Sequence, residues 1–148
     1  MPILGKPILT ADLCDFIRTW LAANGLRDWR VTEGPDSFKK SPSKEICVSP
    51  SPGGGLSQEM HLEALSWQLR VYGPQSKDGS GRSSAEAEEM AWYLDRLMIT
   101  MEESGMVING KRINTSQRFG SPPSVMPKDR AGRSNYVTTY VWEVESGL

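Results

Sequence analysis

The sequence predicts an α+β domain in which two amphipathic helices pack on one face of a mainly antiparallel sheet, in the order α-β-β-β-α-β-β-β. Three observations predict it. Two segments repeat apolar residues at three- and four-residue spacing, each with its own start and stop signals. Two others, 66–72 and 135–145, alternate in character with a period of two. Between two short runs of β-formers lies Asn109-Gly110, the residue pair that a tight hairpin turn needs.

The first helix is expected over 10–24, with Thr10 able to cap it, Leu9 as a staple and Gly25 at the left-handed C′ position. Leu13, Phe16, Ile17, Trp20 and Leu21 form its apolar stripe, which has to be buried against a sheet. A short strand around Trp29-Arg30-Val31 follows. Residues 33–44 hold Gly34, Pro35, Pro42 and several serines without periodicity, so they read as a loop. Glu45-Ile46-Cys47-Val48-Ser49 is a short β-rich strand, ended by the Pro/Gly run from Pro50 to Gly55, and 50–64 is expected to be loop. In 66–72, Trp67, Leu69 and Val71 fall on one side and Gln68, Arg70 and Tyr72 on the other. The stretch 73–82 contains almost nothing that could be buried and is read as a surface loop.

The second helix is expected over 84–103, opened by a Ser83/Glu86 capping box and closed at Ser104-Gly105. Its stripe is Ala87, Met90, Ala91, Leu94, Leu97, Met98 and Met101, while Asp95, Arg96, Glu102 and Glu103 are expected to face water. Met106-Val107-Ile108 and Lys111 to Asn114 form the hairpin around Asn109-Gly110. Polar, Pro-rich 120–134 is the last expected loop. The closing strand sets Tyr136, Thr138, Tyr140, Trp142 and Val144 against Val137, Thr139 and Val141, so it reads as central, with both faces partly apolar.

A length of 148 residues suits one domain spanning 1–148. With 38% hydrophobic residues, 14 glycines and 10 prolines, the core is expected to be modest and the loops long. The formal net charge of −1 provides no overall basic field for gripping phosphates. No apolar run approaches the roughly 20 residues of a membrane span, and the start Met1-Pro2-Ile3-Leu4-Gly5-Lys6 lacks a leader pattern, so a soluble protein made in the cytoplasm is expected. Cys14 and Cys47 both fall among apolar positions and read as buried, reduced thiols.

Residues for catalysis are sparse. The one histidine, His61, has no second ligand at helical spacing, and there is no Gly-x-Ser-x-Gly elbow to build a triad on. Gly53-Gly54-Gly55 is followed by Leu56-Ser57 rather than the Lys-Ser/Thr of a phosphate cradle. No Asp/Glu-x-Lys pairs with Pro35-Asp36 for a metal-dependent nuclease. Glu86, Glu88 and Glu89 fit the positive end of the helix dipole, and Lys39, Lys40, Lys44, Lys128, Arg130 and Arg133 read as solvated loop charge. The expectation is a protein that is not an enzyme and uses no cofactor or metal.

Val107-Ile108-Asn109-Gly110, Gly120-Ser121-Pro122-Pro123, Asp129-Arg130-Ala131-Gly132-Arg133 and the segment from Tyr136 to Val144 resemble, in type and order, the closing half of the small tail-terminator and minor capsid (head-tail joining) proteins of long-tailed bacteriophages. The resemblance extends over nearly the whole chain through short structural motifs. It implies a virion protein at the head-proximal end of the tail: a ring of six copies that caps the tail-tube protein, stops its growth and meets the head-completion or connector protein. DNA would pass through the lumen without specific binding, and no membrane would be involved. Candidate interface residues, taken from the polar loops, are Lys77, Asp78, Arg82, Ser121, Lys128, Asp129, Arg130 and Arg133. Two other readings remain: a head-tail adaptor or stopper of the connector, and a non-virion module that binds protein through an exposed strand edge.

Overall fold

The computed structural model describes residues 7–33, 44–51, 55–57, 62–74, 82–127 and 132–145. Residues 34–43 of the expected 33–44 loop and 75–81 of the expected 73–82 loop therefore lie outside the described residues. Helix α1 (Thr10–Ala23) comes first, followed by strands β1 (Arg30–Glu33), β2 (Glu45–Pro50), β3 (Gly55–Ser57) and β4 (Leu62–Tyr72). Helix α2 (Arg82–Glu103) leads into β5 (Val107–Ile108), β6 (Lys111–Arg118), β7 (Ser124–Met126) and β8 (Asn135–Glu145). The predicted α+β class and order hold, with β3 and β7 added.

The two eleven-residue strands β4 and β8 pair antiparallel along their whole length, from Leu62 opposite Glu145 to Tyr72 opposite Asn135. Each carries a broken strand on its other side. Along β4, β2 ends with Pro50 opposite Trp67 and β3 resumes with Gly55 opposite Ala64. Along β8, β6 ends with Arg118 opposite Tyr140 and β7 resumes with Ser124 opposite Val137. The path through the sheet is β1-β2-β4-β8-β6-β5, and β1 lies parallel to β2. Stretches 50–64 and 120–134, expected to be loop throughout, thus contain β3, the start of β4 and β7. Three residues are too few to display a period, and such strands exist because a long neighbour offers its backbone groups.

Trp67, Leu69 and Val71 of β4, and Tyr136, Tyr140, Trp142 and Val144 of β8, bury the face that the helices cover. Trp67 and Trp142 meet edge to face, with ring centroids 5.6 Å apart. From α1 the buried residues are Leu13, Cys14, Ile17 and Leu21, with Phe16 and Trp20 partly buried against the same cluster. Helix α2 adds Ala87, Met90, Ala91, Leu94, Met98 and Met101. Its contacts run to β4, β6 and β8, while those of α1 run to β1 and β2.

Both helices end as their glycines require. At α1 the amide of Leu26 donates to Leu21 and that of Gly25 to Ala22, with Gly25 at φ 71°. At α2 Met106 donates to Met101 and Gly105 to Glu102, with Gly105 at φ 64°. Each is the double bond of a Schellman end. The helix starts differ from expectation. Leu9, not Thr10, is the N-cap of α1, and the Asp12 carboxylate accepts its amide at 2.7 Å. Leu9 is exposed and Ile8 is the buried residue ahead of the helix. Helix α2 begins at Arg82 and so already includes Ser83, and Glu86 lies 3.5 Å from Lys44. In the β5-β6 turn, Asn109 and Gly110 take φ 53° and 76°, as an Asn-Gly hairpin needs, and the Asn109 amide also donates to Asp12 at 2.8 Å.

Candidate assembly interface

The break between β6 and β7 carries the most exposed apolar surface of the described residues. Phe119 is 72% and Val125 64% exposed, with Met126 beside them. From Phe119 to Pro127 the chain has no charge and three prolines. Its shape is set by its own bonds. The Phe119 amide donates to Thr139 at 2.8 Å, Gly120 turns the chain at φ 92°, the Ser121 and Ser124 hydroxyls lie 3.1 Å apart, and the Ser124 hydroxyl donates to Pro122 at 2.9 Å. Strand β7 pairs with β8 alone, so its outer edge meets no strand among the described residues. An ordered, uncharged edge with exposed side chains is a surface on which another chain can add.

Behind it, the polypeptide is fastened to the sheet face that the helices leave uncovered. Asn135 donates from Nδ2 to the Pro127 carbonyl at 2.8 Å, and the Gly73 amide donates to Ser134 at 2.9 Å. Arg133 is only 2% exposed: Nη1 donates to Glu45 Oε1 at 3.0 Å and the guanidinium stacks over the Tyr72 ring at 4.3 Å. The Thr32 hydroxyl donates to the other Glu45 oxygen at 2.6 Å. A buried carboxylate held by one ion pair and one hydroxyl is a fixed structural joint.

The candidate residues thus part company. Ser121 stands in the exposed turn, whereas Arg133, expected as loop surface, is locked inside the subunit because Glu45 and Tyr72 offer it a charge and a ring. Arg82 opens α2, and its side chain is not among those described. Lys77, Asp78, Lys128, Asp129 and Arg130 lie outside the described residues, as do His61, Pro35-Asp36, Lys39 and Lys40. Phe119 and Val125 were missed by a search for charged loop residues. The available signal was a lone Phe and a Val-Met pair within an otherwise Gly/Ser/Pro stretch.

Two further charged residues depart from expectation. Asp95, read as facing water, is 2% exposed; it accepts the Tyr140 hydroxyl at 2.8 Å and has Arg118 Nε at 3.2 Å. Burial, and then Asp95, drive the Tyr140 phenol pKa far above its ordinary value. Lys44, read as solvated, pairs with Asp28 and lies 3.5 Å from Glu86 and 5.1 Å from the Trp29 ring centre. Burial opposes its charge, yet Asp28 and Glu86 more than compensate and raise its pKa, while the Lys44 hydrogen bond lowers that of Asp28.

Cys14 and Cys47 are both buried, and burial pushes the Cys14 thiol up to about 11. Among the described residues, no group of three His, Cys, Asp or Glu could hold a metal, and no helix is long and apolar enough to cross a membrane. No family model matches the sequence, and no curated protein matches it. Solved structures do match, including one that is 17% identical and covers 90% of this chain and 88% of its own, with a TM-score of 0.47. That degree of likeness carries no argument about what the protein does.

Proposed function

We propose that the protein is a structural virion subunit, a tail terminator that assembles as a ring on the end of the phage tail tube and joins it to the head connector. The observation that carries this reading is the uncharged edge at Phe119, Val125 and Met126, exposed yet held in shape by backbone and hydroxyl bonds. Large apolar side chains on a fixed edge favour association with protein, and head-to-tail contacts of that kind generate rings when the rotation closes. The order of Gly120-Ser121-Pro122-Pro123, Asp129 to Arg133 and the Tyr136 to Val144 strand, similar to that of tail terminators, supports it. So does a net charge of −1, which leaves passing DNA little to adhere to.

The test is mass by light scattering and electron-microscope class averages of tail tubes mixed with the purified subunit. Six-fold rings, free or on tube ends, are the expected result. Monomers that leave tube ends bare would overturn the proposal. Rings that bind isolated connectors and ignore tubes would assign the chain to the adaptor position instead.

A further inference from the structure

We propose that Phe119 of one copy seats in a pocket of the next copy at the β2-β3 break, so that this pocket and the uncharged edge are the two halves of one subunit contact. The pocket is an open cavity of about 440 Å³. Ile8 and Leu9 at the start of α1, Pro50 at the end of β2, and Ala64, Leu65 and Trp67 of β4 supply its apolar walls. Its other lining residues are serines and a threonine, and none carries a charge. Leu9 is exposed and Trp67 buried against Trp142, so the cavity reaches from solvent to the aromatic pair inside the sheet.

The two halves match in polarity. Phe119 is the most exposed large apolar side chain of the described residues, and the chain from it to Pro127 has no charge. An apolar group entering a pocket free of charge strands no ion, and a buried aromatic side chain is the usual anchor of a protein contact.

They also match in position. Trp67 pairs with Pro50 on one side and with Tyr140 on the other, and Tyr140 pairs with Arg118. Pro50, Trp67, Tyr140 and Arg118 therefore form one row across β2, β4, β8 and β6. Strand β1 ends opposite Val48 and β5 pairs only with Lys111 and Arg112, so neither extends to this row. Phe119 follows Arg118 at one end, and Pro50 stands in the pocket at the other. Two different patches at opposite ends of a row make a head-to-tail contact, which closes into a ring when the rotation allows. This inference rests on the ring reading given above and supplies the surface that receives the edge.

The test uses the full-length protein with single substitutions at the two exposed positions, Phe119→Lys and Leu9→Glu, which thermal melts should show to be folded. Wild type should form rings by light scattering and class averages, and each variant alone should remain monomeric. A 1:1 mixture of the two should form rings again. In that mixture the lysine introduced at 119 meets the glutamate introduced at 9, while the unaltered edge of one variant meets the unaltered pocket of the other. Replacing Phe119 by photoreactive p-benzoylphenylalanine should give crosslinks to the peptides holding Ile8 and Leu9 or Ala64 to Trp67 of a second copy. Rings from Leu9→Glu alone, a mixture that stays monomeric, or crosslinks only to the tail-tube protein or to another part of the subunit overturn the inference and leave the virion reading standing. Rings with crosslinks in the pocket that ignore both tubes and connectors sink the virion reading and leave the contact standing. A wild-type protein that stays monomeric and gives no crosslink removes both.

Discussion

Glu45 is 3% exposed, and Arg133 and Thr32 bond one each of its two carboxylate oxygens. Removing only the cation strands a buried carboxylate, so Arg133→Met should cost about 3–5 kcal/mol in urea melts. Adding Glu45→Gln to that variant should recover part of the loss, and no recovery would show that the guanidinium acts through its stacking on Tyr72 alone. Alkaline pH probes two other buried groups. Cys14 is raised from 9.0 to about 11 by burial, and Tyr140 is raised from 10.0 by burial and Asp95. Both are acids whose folded pKa exceeds the unfolded one. Their contribution to stability is therefore complete below about pH 9 and is lost as pH rises through and above the unfolded values. The urea midpoint should fall between about pH 9 and 11, and less steeply in Cys14→Ala/Tyr140→Phe; equal slopes would remove both groups from the account. At this scale the sequence was partly readable. Asp95 falls one turn from Ala91 and Met98, so spacing put it on the buried arc while its charge argued for water. Spacing won, because β6 and β8 bring Arg118 and Tyr140 beneath it.

The elements were legible where the chain carries a long period or a residue with special φ. Helix α2, the β4 and β8 strands, the Asn109-Gly110 turn and both glycine helix ends follow from such signals. Helix starts were less so: Thr10 has the right hydroxyl, but Asp12 bonds the Leu9 amide and sets the start of α1 one residue earlier, and α2 begins at Arg82 rather than at Ser84. Strands β3 and β7 owe their existence to β4 and β8, which no local pattern encodes. Two substitutions test the elements that were read correctly. Leu94→Ala should destabilise by about 2–5 kcal/mol, since Leu94 sits 1% exposed in the middle of the covered face. Gly25→Ala meets no atom within 4 Å, so its cost should come from φ 71° alone, about 1–2 kcal/mol. If thermal melts rank the glycine change as the more damaging, the helix face has been assigned wrongly.

For the whole molecule the question is which surface carries assembly. Composition drew attention to charged loop residues, because solvated charge is easy to see in a sequence, whereas an exposed Phe119 cannot be told from a buried one without its neighbours. The fold supplies those neighbours: β6 stops at Arg118, β7 resumes at Ser124, and Phe119 between them is left 72% exposed. Phe119→Ser/Val125→Ser removes apolar surface that the subunit itself barely uses, at 72% and 64% exposure. Stability of the isolated subunit should therefore change by less than about 0.5 kcal/mol. Ring formation should fail, because apolar side chains near the centre of an interface contribute most of its binding energy. Leu94→Ala is the control that separates the two effects: it should lower stability while leaving any folded subunit able to assemble. Light scattering and class averages on the same preparations give the comparison. A Phe119→Ser/Val125→Ser protein that still forms rings and caps tubes would move assembly away from the β7 edge, leaving the outer edge of β1 or the helix faces as the contact.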